Sequence, residues 1–133
     1  MAERPTTSWR EGIAEEEREL AAGSLDPECA CMAVLFPEAL LMATDEVLDA
    51  FEQALPGISE VADERVFAAV ERVVLALNAV NEANGGAAFE TDERETLCAY
   101  IDEALTEHGV DVVALTARHG LGQYQLTDRW RDW

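Results

Sequence analysis

The chain contains no lysine, and all nine of its basic residues are arginine. Against them stand 28 aspartates and glutamates, a net charge of −19 and an isoelectric point near 4.1. This shortage of positive charge excludes nucleic-acid binding through phosphates, which needs a basic surface. It argues equally against attraction to anionic membranes. The absence of lysine has a codon-level explanation: lysine codons are AT-rich, and 22 alanines beside nine arginines point to a GC-rich coding sequence.

Cysteine is also scarce. Cys29, Cys31 and Cys98 are odd in number and do not form a disulfide framework. Long hydrophobic runs are missing too. The longest, Cys29 to Phe36, has eight residues, well short of the roughly 18 needed to span a bilayer. The opening residues, Met1 to Ser8, are polar and hold no signal-peptide core. The expectation is a cytoplasmic protein. Apolar residues nonetheless make up 49% of the sequence, enough for one sizeable core, and the length suits one domain over residues 1–133.

Helical periodicity dominates what is present. Ser8-Trp9-Arg10-Glu11 spells a capping box and predicts a helix to about Ala22, stopped by Gly23. Asp26-Pro27 reads as the start of a second helix that carries the apolar run and belongs in the core. Leu41, Thr44, Leu48, Phe51 and Leu55 keep one helical face, with Thr44 an alternative cap for a fresh helix at Asp45, and Pro56-Gly57 ends the segment. The clearest stripe is Val66, Val70, Val73, Leu77 and Val80, in a helix from about Ser59 to Asn84. Asn78, Asn81 and Asn84 step along it: Asn81 sits on the flank of the stripe, while a frayed polar end is the plainer reading.

Thr91 or Asp92 then caps a helix to about His108, with Gly109 beyond its end. Val110 to Arg118 reads as a short helix, with its Val-Asp-Val-Val start the one place for a strand, and the last seven residues suit one helical turn. The fold class is therefore all-α, a compact bundle of five to seven helices.

Signatures of chemistry are few. Cys29 and Cys31 would point about 200° apart on a helix, so with Cys98, His108 and His119 they make a poor zinc site; buried core thiols are the plainer reading. His108 and His119 each precede a glycine at a predicted helix end, where a histidine suits the open carbonyls. Neither an EF-hand loop, an H-E-x-x-H nor a G-x-S-x-G occurs, and Gly120-Leu121-Gly122 lacks the rest of a phosphate-binding loop. No catalytic residue, metal or cofactor is assigned.

The charge is uneven. Residues 1–56 carry −10, residues 57–109 carry −9 and residues 110–133 carry none. Two acidic patches are candidates for binding a basic protein: Asp45, Glu46, Asp49 and Glu52 on one helix, and Asp92, Glu93 and Glu95 at the start of another. The neutral C-terminal segment carries Tyr124, Trp130 and Trp133, and its Arg129, Trp130, Arg131 and Trp133 are residue types enriched at interface hot spots. The plainer reading is that this segment folds back and its tryptophans cover the core.

The expected function is a non-enzymatic acidic binding module, of inhibitor or immunity type, that engages a basic nucleic-acid-acting partner. Two alternatives stand beside it: a helical scaffold or subunit whose acidity only keeps it soluble, and an enzyme with an unrecognised carboxylate or thiol site. Homo-oligomerisation stays open.

Overall fold

A computed structural model describes residues 2–29, 36–122 and 125–133. It is all-helical, with five α-helices and no strand among the described residues. The helices are α1 (Pro5–Ala22), α2 (Glu38–Gln53), α3 (Asp63–Ala83), α4 (Thr91–Glu107) and α5 (Val112–Arg118), with short 3-10 turns at Pro27–Cys29 and Ile58–Glu60. One core joins α1 to α5 and the C-terminal segment, running from Trp9 to Leu126.

α1 begins three residues before the capping-box serine. Pro5 occupies its first turn, where a fixed φ fits the helix and a missing N–H costs nothing. Ser8 is thereby left exposed inside the helix. Gly23 closes α1 in a left-handed conformation (φ 74°), and the Ser24 N–H donates to the Glu19 carbonyl at 3.0 Å. The apolar side chain that α1 contributes to the core is mainly Trp9, which stacks on Phe36 with ring centroids 5.0 Å apart.

The predicted second helix starts as a 3-10 turn, with Asp26 accepting the Glu28 N–H at 3.0 Å. The side chain of Cys29, and Cys31 altogether, lie outside the described residues. α2 then runs unbroken through Thr44. Its hydroxyl donates back to the Leu40 carbonyl at 2.8 Å within the core, so it caps no new helix at Asp45.

α2 and α3 form the principal helix pair. The α3 stripe is buried as its spacing predicts: Val70, Val74 and Leu77 are fully enclosed. The predicted start at Ser59 is instead the 3-10 turn, and α3 begins at Asp63. At its other end Asn81 is only 3% exposed. Its Oδ1 accepts the N–H groups of Ala88 and Phe89 at 2.8 and 3.1 Å, and its Nδ2 donates to the Gly86 carbonyl at 3.2 Å. Asn81 therefore organises the loop into α4 and is not a frayed end.

α4 packs Leu97, Tyr100, Ile101, Ala104 and Leu105 inward. Its N-cap is Glu90, with no side-chain cap from Thr91 or Asp92. The Val110–Val113 stretch forms no strand, because Asp111 accepts the Ala114 N–H at 3.1 Å and starts α5.

Candidate functional site

The acids of α2 meet arginines of α1. The Arg4 guanidinium pairs with Glu52 at 2.6 Å, with Asp49, and more loosely with Asp45 at 3.6 Å. Arg10 reaches Glu38 at 2.8 Å and Asp45 at 3.0 Å. Asp45 also accepts the Thr6 hydroxyl at 2.6 Å, and Glu52 accepts the Tyr100 hydroxyl. Burial pushes the Asp45 and Glu52 carboxyls up, but hydrogen bonds from Thr6 and Arg10, and from Arg4 and Tyr100, outweigh it and hold both below the usual range. Burial and the Glu52 carboxylate raise the Tyr100 hydroxyl. The structure brings Asp45, Asp49 and Glu52 together in one network with Arg4, while Glu46 is exposed and takes no part in it. Sequence reasoning placed these acids but missed Arg4 and Arg10, whose partners lie 28 to 48 residues away.

Both histidines sit at helix C-termini, as their sequence context predicts. The His108 Nδ1 donates to the Ala104 carbonyl at 2.9 Å. His119 Nε2 and the Arg118 guanidinium both donate to Asp63 at 3.0 Å, tying the end of α5 to the start of α3. Hydrogen bonds from Arg118 and then His119 hold the Asp63 carboxyl down at about 2.

The C-terminal segment lies back on the helices. Asn78 accepts the Asp132 N–H at 3.2 Å and donates to the Trp130 carbonyl at 2.7 Å. Trp130 approaches Phe67 (6.5 Å between centroids) and Trp133 meets Phe89 edge-on at 5.7 Å. Both tryptophans are half-buried. Tyr124 lies outside the described residues.

α4 differs from α2. At 100° per residue, Asp92, Glu95, Ala99, Asp102 and Glu103 share one face, while Glu93 lies toward the side of Tyr100. Asp92, Glu95 and Glu103 are exposed and Glu93 is half-buried. None of the four carboxylates on the shared face forms an ion pair among the described residues. Between this face and residues 126–131 lies an open cavity of about 620 Å³. It is lined by Glu95, Cys98, Ala99, Asp102, Leu126 and Thr127, among others, with Arg94 and Arg131 also on its wall.

Asp102 is the unusual member. It is half-buried in the cavity wall and has no hydrogen-bond or ion-pair partner for its carboxylate among the described residues. Burial, and then the neighbouring Glu103, push its carboxyl up to about 6. Cys98 is partly exposed; its Sγ receives a hydrogen bond from Arg131 Nη1 at 3.2 Å and lies 3.4 Å from the Thr127 hydroxyl. Asp102 belongs to neither acidic patch read from the sequence. Its i, i+7 and i+10 spacing from Ala99-side neighbours Glu95 and Asp92 was the available signal.

Among the described residues no group of three or more histidine, cysteine or carboxylate side chains is placed to hold a metal. No described helix is long and apolar enough to cross a membrane. No family model matches the chain, and neither a curated protein nor a solved structure matches it.

Proposed function

We propose that the protein is a non-enzymatic binding module whose acidic α4 face engages a basic protein, in the manner of an inhibitor or immunity protein that covers a cationic, nucleic-acid-acting surface. The observation that carries this reading is the contrast between two sets of acids. Glu38, Asp45, Asp49 and Glu52 of α2 are engaged by Arg4 and Arg10, with Glu46 standing apart. Four on one face of α4, Asp92, Glu95, Glu103 and the half-buried Asp102, have no ion-pair partner among the described residues. A carboxylate held partly out of water without a cation is costly to folding, and such frustrated groups concentrate at functional sites. A net charge of −19 adds long-range attraction for a cationic partner and speeds its approach.

The test uses cells that express the tagged full chain. A basic partner should be captured, and its binding should weaken as salt rises, because exposed charges are screened beyond about 8–10 Å. Reversal of Asp92, Glu95 and Glu103 to Arg should slow association at least tenfold, roughly the scale seen for charge-steered complexes. If no specific partner is captured and the reversal changes only solubility, the acidity serves hydration of a helical scaffold.

A further inference from the structure

We propose that the cavity between α4 and residues 126–131 receives the cationic end of a basic side chain from the partner, with Asp102 as its counter-ion. This rests on the reading that the α4 face binds a basic protein, and names the recess where one residue of that protein anchors.

The chain's own cations near the cavity do not serve Asp102. Arg131 is committed elsewhere: one guanidinium nitrogen donates to Cys98 Sγ at 3.2 Å, the other to Asp128 at 3.1 Å, and its carbon lies 5.5 Å from the Trp133 ring centroid. Arg94 lines the same cavity and forms no ion pair with it. A cation for Asp102 must therefore come from outside. The remaining wall suits what trails behind such a cation. Ala99 and Leu126 offer apolar surface to an aliphatic stem, as arginine and lysine stems prefer. The volume, about 620 Å³, is in the range of binding recesses and leaves an extended side chain ample room. With Arg131 and Asp128 cancelling each other, the lining keeps more acids than bases, so an anion is disfavoured. A metal ion would need several converging carboxylates, which the described residues do not provide.

The probe is a fluorescein-labelled peptide of alternating arginine and glycine, titrated with the full chain by fluorescence anisotropy at low salt. Four variants accompany the wild type: D102N, which removes one charge of the 28 acids; A99F and A99L, which fill the recess without changing charge; and the triple reversal of Asp92, Glu95 and Glu103 to Arg. Ala99 is exposed, so the fillers should fold, and thermal melts by circular dichroism verify it. Insertion predicts that D102N and the fillers each weaken binding about tenfold, the scale of losing one partner of a partly desolvated charge pair. Attraction to the overall field alone predicts changes within about twofold for both. If D102N or both fillers stay within that limit while the triple reversal abolishes binding, the insertion is wrong and the α4 reading stands. If the wild type does not bind the peptide at all, both fail.

Discussion

The Asn78 side chain donates to the Trp130 carbonyl at 2.7 Å, across 52 residues of sequence. The same amide accepts the Asp132 N–H, so one side chain on α3 holds two backbone groups of the C-terminal segment. An alanine there would leave both groups without their partner. Replacing Asn78 by Ala should destabilise the protein by about 1–2 kcal/mol, the usual cost of two hydrogen bonds that are partly shielded. It should also free Trp130 and Trp133 toward water. A red shift in tryptophan emission at native temperatures checks this; unchanged emission and melting would show that aromatic packing alone holds the segment.

Arg4 is the hub of the second long-range network. Its removal leaves Glu52 partly buried with only the Tyr100 hydroxyl as donor. Arg4→Ala should cost about 1–2 kcal/mol, more than an exposed ion pair because three carboxylates share the guanidinium and it is only 26% exposed. Asp45 and Glu52 are both held below their ordinary range in the folded state. Their contribution is therefore present above the unfolded carboxylate values near 4 and is lost as pH falls through the lower folded values. The gap in urea midpoint between wild type and Arg4→Ala should narrow as pH falls below about 4 and close once these carboxylates are protonated in the folded state. A gap that stays constant as pH falls would mean that Arg4 acts through its aliphatic packing.

The core gives the bluntest test. Leu77 and Ile101 are fully buried on α3 and α4. A carboxylate at either position would lie in apolar surroundings without a partner, which costs more than a marginally stable domain of this size can spare. Leu77→Asp and Ile101→Asp should each abolish the cooperative melt, and Leu77→Ala should lower stability by about 2–5 kcal/mol. Near wild-type melting of either aspartate variant would misplace the core.

These outcomes follow the division between what the sequence discloses and what it hides. The stripe from Val66 to Val80 is local: five residues at helical spacing decide both the helix and its buried face, so it is legible. The flank position of Asn81 was legible for the same reason, although its loop partners were not. The start of α1 was misread because two signals competed, and Pro5 at the first turn prevailed over the serine-glutamate spelling. The networks of Arg4 and Asn78 join residues 41 to 54 apart. No local pattern encodes such pairings. The candidate cavity was hidden likewise, because it exists only where residues 126–131 cross the α4 face.

Asp102 supplies the last prediction, in which binding and folding pull in opposite directions. Its carboxyl is pushed up to about 6, first by burial and then by Glu103. Glu95 and Asp128 share its cavity, as do Arg94 and Arg131, whose charges leave that rise in place. An unfolded aspartate titrates near 3.9. Below that value both states are protonated and Asp102 costs nothing. As pH climbs from about 4 to about 6 the unfolded chain loses its proton first, so the folded state falls behind; above about 6 the deficit is complete and constant. Asp102→Asn removes the charge with little change of shape. It should stabilise the fold at pH 7 by about 1 kcal/mol, less than the full shift implies because the side chain keeps some contact with water. At pH 3.5 the advantage should vanish. Denaturant midpoints at the two pH values measure it. If the asparagine variant is no more stable at pH 7 than wild type, the carboxylate is better solvated than its position in the cavity wall implies. If it is more stable yet weaker toward a cationic peptide, Asp102 is retained at a cost to folding for the sake of binding, the trade-off expected of a functional site.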